Sequence, residues 1–106
     1  MLTPRPQMVP TGIAIEFPAG YDAQVRPRSG LSAKGVGVAF GTVDADYRGE
    51  LLVTMWTFGG LESYELADGD RIAQLVVSQA APLRVVEAAE LSSTARGAEG
   101  HGSTGR

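Results

Sequence analysis

The sequence predicts an antiparallel all-β domain, a sandwich or barrel, that ends in a glycine-rich arm. Three observations carry this. Fourteen glycines and six prolines among 106 residues punctuate the chain every few positions, which suits short strands joined by turns. Between the breaks, apolar residues alternate with small or polar ones, the pattern of a strand with one buried face. From Ser92 onward bulky apolar residues almost vanish, so that stretch cannot build core and reads as a mobile tail.

The elements follow in order. After Pro10, residues 11–17 (TGIAIEF) alternate Ile13, Ile15 and Phe17 with smaller neighbours, predicting a first strand. Pro18, Gly20 and Asp22 mark a turn, and Ala23 to Arg26 form a second short strand stopped by Pro27. Residues 35–41 (GVGVAFG) read as a strand with close backbone approaches at its glycines. Residues 50–57 (ELLVTMWT) predict a stronger strand, broken by Gly59-Gly60 and followed by another at 62–66 (ESYEL). Asp68-Gly69 is a turn signal. Residues 72–77 (IAQLVV) are nearly all apolar, which predicts a strand buried on both faces around the single amide of Gln74. Residues 83–90 (LRVVEAAE) fit a strand or a helical turn equally. The expected organisation is one β domain over 1–91 and a flexible arm over 92–106, with no internal repeat.

The totals narrow the function. A chain this long buries roughly 60–70% of its unfolded surface, enough for one modest core, and 43% hydrophobic residues with a mean hydropathy near zero describe an ordinary globular composition. A net charge of −3 and a pI near 5.0 offer no basic field for a nucleic-acid polymer. Any anionic ligand must be held by a few placed arginines and backbone N–H groups. The absence of cysteine excludes disulfides, thiolate catalysis and Cys-ligated zinc. The N-terminal MLTPRPQMVP has no apolar signal-peptide core, and no apolar run approaches the ~20 residues of a membrane span. The expectation is a cytoplasmic protein without a membrane partner.

Four short segments carry chemistry. In Pro27-Arg28-Ser29-Gly30-Leu31 a hydroxyl, unhindered backbone N–H groups and a cation lie together, as a phosphate needs; alone, the common tripeptide is far more often an ordinary exposed turn. In residues 41–50 (GTVDADYRGE), Asp44 and Asp46 share a face if the backbone is a strand and diverge if it is a tight turn. One carboxylate beside a bound anion can polarise a water as general base, and Tyr47 offers a flat face to a sugar or base. A surface hairpin with charged rungs explains the same residues. In residues 69–75 (GDRIAQL), Asp70 and Arg71 satisfy backbone or each other, and Gln74 needs a polar partner, either a ligand or a core hydrogen bond. Residues 96–105 (RGAEGHGSTG) form a strap of N–H and hydroxyl donors suited to polyphosphate, or an ordinary glycine-rich terminus.

Taken in order, these segments resemble the trimeric dUTPase family. The PRSGL at 27–31 is similar to its second motif, GTVDADYRGE at 41–50 to its third, GDRIAQLVV at 69–77 to its fourth and RGAEGHGSTG at 96–105 to its fifth; VPTGIAIEFPAG at 9–20 resembles the lead-in to the second. The resemblance implies a dUTPase-like β-clip fold and an enzyme that hydrolyses dUTP to dUMP and pyrophosphate, limiting uracil in DNA and supplying dUMP for thymidylate synthesis. It implies a homotrimer with each active site built by three subunits, and Mg²⁺ bound mainly through the triphosphate. Arg28, Ser29 and Gly30 are then expected to hold the phosphates, and Asp44 to orient and deprotonate the water that attacks the α-phosphorus. The backbone of Gly41, Thr42 and Val43 is expected to read the uracil edge, Tyr47 to pack on the deoxyribose, and Gln74 to support the phosphates. Arg96, Gly102, Ser103 and Thr104 close over the γ-phosphate end, and His101 stands where the family stacks a phenylalanine on uracil.

The pattern departs from the family at three places. No counterpart of the first motif, with its Mg²⁺-holding aspartate, is present. The letters AGYD at 19–22 imitate it but fall in the loop before Arg28, so Asp22 is not a metal ligand and no metal ligand is assigned. The expectation is a gene start placed too far downstream and a domain of marginal stability. Second, the stretch between Lys34 and Gly41 is short and lacks the asparagine many members place before the GT-x-D. Third, Glu99 replaces a glycine and His101 the phenylalanine. The competing reading is a non-catalytic dUTPase-like trimer that binds nucleotide or a protein partner. The related dCTP deaminases are less similar, because Gly30-Leu31 offers no further polar residue for deamination.

Overall fold

The computed structural model describes residues 1–99. Their elements are β1 (Gln7–Pro10), β2 (Tyr21–Arg26), α1 (Ser29–Lys34), β3 (Val36–Val38), β4 (Gly41–Val43), β5 (Leu52–Thr57) and β6 (Gln74–Gln79). All strand pairs are antiparallel, in two three-stranded sheets ordered β1-β5-β3 and β4-β2-β6. The all-β expectation holds.

The core forms where the central strands of the two sheets face each other. On β2 the alternation buries Ala23 and Val25; on β5 it buries Val53, Met55 and Thr57. Val36 and Val38 of β3 complete this layer with Leu2. Leu2 is held by a reciprocal backbone pair with Tyr64, whose carbonyl accepts from Leu2 N–H at 2.7 Å and whose N–H donates to Leu2 O at 3.0 Å. This small cluster, with one edge closed by an N-terminal residue, is the packing that has to hold the sheets together.

Several expectations change. Residues 11–17 are not a strand: the ladder to β5 is made by 7–10 instead. Gly12, at φ +73°, turns the chain out of register, and only Thr11 N–H to Leu51 O (3.3 Å) and Leu51 N–H to Ile13 O (2.8 Å) continue the pairing. Alternation marks a two-faced segment but supplies no partner strand. Residues 35–41 divide between sheets, with β3 beside β5 and β4 beside β2. Residues 62–66 contribute one isolated bridge at Tyr64. Residues 83–90 are neither strand nor helix. Around Ser29 a six-residue helix forms instead of a plain turn, ended by Gly35 at φ +94° with its N–H on the Leu31 and Ser32 carbonyls.

The largest correction concerns β6. It is an edge strand paired on one side only with β2, and Leu75 and Val77 are 41% and 51% exposed rather than buried on both faces. Residues 77–99 are exposed throughout, including Leu83, Val85, Val86 and Leu91. The radius of gyration of 18.6 Å exceeds the ~13 Å of a compact domain of this length. Apolar continuity marks surface suited to burial, but nothing among the described residues covers the outer edge of β6.

The single tryptophan reports on the outer face of β5. A Cβ added at Gly37 falls 2.6–2.9 Å from the Trp56 indole, the residue directly across the β3–β5 ladder. Gly37→Ala is expected to push the indole outward, moving its fluorescence to the red and costing about 1–3 kcal/mol by overpacking. Urea titrations followed at the tryptophan emission check both effects.

Candidate active site

The segment after β4 is a tight turn, not a continued strand. Tyr47 N–H donates to Asp44 O at 3.0 Å, which closes the chain over Ala45 and Asp46. Of the two carboxylate geometries open to the sequence, the turn is the one adopted, and the side chains diverge. Asp44 lines an open cavity of about 280 Å³ with Gly41, Thr42, Val43 and Tyr47. Asp46 faces a different groove with Glu16 and Arg48, where Arg48 Nη2 pairs with Glu16 at 3.1 Å and Arg48 Nη1 donates to Ala45 O at 2.7 Å. The turn is therefore pinned from the Asp46 side. The Asp44 carboxylate has no hydrogen bond or ion pair among the described residues, and the residue is exposed to solvent.

Tyr47 is fixed as a wall of this cavity. Its hydroxyl donates to Glu50 O at 2.8 Å, and its ring lies over Gly49, where an added Cβ falls 2.5 Å from the hydroxyl. Glu50 in turn accepts from Gly12 N–H at 2.8 Å. The cavity floor at Gly41 is open, with nothing within 4 Å of an added Cβ. Phe40 and Glu50, which the motif reading passes over, also line it. An aromatic residue directly before the Gly41 hairpin is the signal that marks Phe40.

The other candidates gather elsewhere. Arg28 is the N-cap residue of α1, its carbonyl accepting from Ser32 N–H at 3.0 Å. Ser29 and Gly30 open the helix and are exposed. Gln74 is exposed rather than buried, and its Nε2 donates to Pro27 O at 2.9 Å. That bond ties β6 to the residue before Arg28, so the amide's partner is the backbone of the Arg-Ser-Gly segment. Arg28 and Gln74 line a second, larger cavity of about 780 Å³ with the 66–73 loop. In that loop Asp70 accepts from Ala67 N–H at 2.9 Å, the backbone satisfaction expected for it. Arg96 Nε donates to Glu99 O at 2.7 Å, and Gly97 N–H to Thr94 Oγ1 at 3.0 Å. His101, Gly102, Ser103 and Thr104 lie outside the described residues. Asp22 accepts from Ser78 Oγ at 3.0 Å across the β2–β6 ladder, a side-chain contact between the two strands.

Within one chain Asp44, Tyr47 and residues 41–43 thus line one cavity and Arg28 with Gln74 another, with Val25 of β2 lining both. Among the described residues no three His, Asp or Glu side chains converge as a metal site, and no helix is long and apolar enough to cross a membrane.

The family model for dUTPase matches residues 3–105. The chain belongs to the dUTPase family. It is 52% identical over 101 residues to the deoxyuridine 5'-triphosphate nucleotidohydrolase of Beijerinckia indica, covering 92% of this chain and 62% of that protein. To the protein of the same name from Rhizobium rhizogenes it is 49% identical over 102 residues, covering 92% and 64%. The chain therefore spans somewhat less than two thirds of the length of these relatives. Among solved structures, the dUTPase of Staphylococcus bacteriophage 80alpha with dUpNHpp superposes with a TM-score of 0.82 at 26% identity, covering 100% of this chain and 79% of that one. The G164S mutant of the phage dUTPase, also with dUpNHpp, gives 0.82 at 25% identity with the same coverage. The two-sheet arrangement is the dUTPase fold.

Proposed function

We propose that the chain acts as a dUTP diphosphatase, cleaving dUTP to dUMP and pyrophosphate by water attack on the α-phosphorus, at sites assembled between the subunits of a homotrimer. The observation that carries this is the cavity beside β4: an unpaired carboxylate at Asp44 stands at the edge of a space of about 280 Å³ walled by the Gly41–Val43 backbone and a fixed Tyr47. That volume suits a nucleoside and is too small for a whole nucleoside triphosphate. The phosphates must then lie outside it, where Asp44 can hold and deprotonate a water near the first of them. The exposed backbone of Gly41, Thr42 and Val43 reads the uracil edge, and the Tyr47 ring leaves no room for a ribose 2′-hydroxyl.

The phosphate-binding groups in this reading are Arg28, Ser29 and Gly30, supported by Gln74, with Arg96, Gly102, Ser103, Thr104 and His101 closing over the substrate. The separation of Arg28 and Gln74 from Asp44 within one chain supports a site completed by neighbouring subunits. The exposed apolar edge of β6 and the exposed Leu83, Val85, Val86 and Leu91 support the trimer, since surface of this kind is characteristic of subunit interfaces. Mg²⁺ belongs to this function as a partner of the triphosphate: a hard cation that keeps several waters needs few protein ligands when phosphates supply the rest. No covalent nucleophile is required, because positioning and charge neutralisation supply the rate. The cytoplasm, which holds the free deoxynucleotides, is the compartment proposed for it, and residues 92–106 are proposed as its closing arm.

Pyrophosphate release from dUTP, dTTP and UTP in the presence of Mg²⁺ tests the reading. Turnover of dUTP with little of the other two is expected. A folded, oligomeric chain that releases no pyrophosphate from dUTP contradicts it and leaves a binding protein of the same fold.

A further inference from the structure

Residues 39 and 40 are the only link between β3 in one sheet and β4 in the other. Both ends of this link are pinned. Ala39 N–H donates to Thr54 O at 2.9 Å, and Gly41 pairs with Val25 of β2. Phe40 is thus held at the crossing and belongs to neither ladder. Its side chain is 72% exposed, the highest value of any aromatic residue among those described. It nevertheless lines the cavity that holds Asp44 and Tyr47, beside the open floor at Gly41. A phenylalanine left in water at the rim of a nucleoside-sized space contributes nothing to the core and offers a planar apolar face to a planar ligand.

We propose that Phe40 is a base-binding residue, stacking on the pyrimidine ring of the nucleotide in the β4 cavity. The inference rests on the dUTP reading above. Tyr47 is fixed through its hydroxyl to the Glu50 carbonyl and serves the sugar. Phe40 lies on the chain just before the backbone groups that face the base edge, where an aromatic ring can cover the face of the base while Gly41–Val43 address its edge. Stacking is tolerant of the ligand's hydrogen-bonding pattern and adds affinity without touching the reacting phosphate. Removing it lowers ground-state and transition-state binding equally, so KM rises and kcat stays.

The test uses the full chain with Phe40→Ala, Phe40→Leu and Phe40→Tyr, measuring kcat and KM for dUTP and competitive inhibition by deoxyuridine and by tripolyphosphate. Phe40→Ala is expected to raise KM for dUTP and Ki for deoxyuridine by about ten-fold. Inhibition by tripolyphosphate and kcat stay at wild-type values, Phe40→Tyr restores binding and Phe40→Leu does so only in part. Because the ring is exposed, melting temperatures should match the wild type, which separates binding from folding. If wild-type turnover is present and Phe40→Ala leaves KM and deoxyuridine inhibition unchanged, the assignment of Phe40 is overturned and the dUTP reading stands. Equal weakening of tripolyphosphate and deoxyuridine overturns it as well, since that is a structural effect. Failure of the wild type to bind dUTP overturns the functional reading itself.

Discussion

Asp44→Asn is expected to lower kcat for dUTP about 10²–10⁴-fold, the usual contribution of a positioned general base, with KM little changed. Asparagine keeps the shape and a hydrogen-bond acceptor, so a water can still be held, but the amide cannot take its proton. The fold should be indifferent to the change, because Asp44 is exposed and its side chain makes no hydrogen bond or ion pair among the described residues. Asp46→Asn is the control. Its carboxylate is two positions away yet lines the groove of Glu16 and Arg48 on the other side of the turn, and its turnover should stay near wild type. Steady-state kinetics of both variants, with circular dichroism to check the fold, decide the matter. Equal losses in the two variants contradict the assignment of the base to Asp44.

Gly35→Ala is expected to be the most damaging glycine substitution for the fold. Gly35 sits at φ +94°, a region that costs an L-residue about 1–2 kcal/mol. The added Cβ also falls 2.6 Å from the backbone oxygen of Phe58 and 3.3 Å from the Leu61 Cβ. A backbone oxygen cannot swing aside as a side chain can, and Phe58 N–H is already bonded to Gly35 O at 2.8 Å. The turn joining α1 to the buried strand β3 must therefore open. A total loss of about 3 kcal/mol or more is expected, lowering the melting temperature by more than ~10 °C in a domain of this size. Thermal denaturation followed by circular dichroism measures it, and a melting temperature within a few degrees of wild type contradicts the close approach at Phe58.

Most of the fold class was legible in the sequence because glycine, proline and alternating apolar residues act locally. β2 and β5 carry clean alternation, and their apolar positions Ala23, Val25, Val53 and Met55 are the buried ones. What failed was partnership. Residues 11–17 have the pattern of a strand, but Gly12 turns them away from β5 and leaves Ile13 54% exposed. β6 reads as a buried strand because its sequence is apolar on both faces, yet the isolated chain covers only one edge of it. In both cases the pattern describes surface to be covered and is silent about what covers it. The motifs were legible by order and spacing, including the divergence of Asp44 from Asp46 if the segment turned. Their division between two cavities was not, since Gln74 is brought beside Arg28 by the bond its side-chain amide donates to Pro27 O, 47 residues away in sequence. Phe40 escaped for another reason: its place before Gly41 was visible in the sequence, but its position on the cavity rim comes from where the chain crosses between the sheets.

In the proposed reaction a water held by Asp44 attacks the α-phosphorus of dUTP. Hydrolysis of dUTP in ¹⁸O-labelled water, with the products separated and weighed by mass spectrometry, tests it most directly. Pyrophosphate without label and dUMP carrying one ¹⁸O are the expected products of that attack. Label in the pyrophosphate, orthophosphate with dUDP as the first products, or no hydrolysis by the folded chain contradicts it.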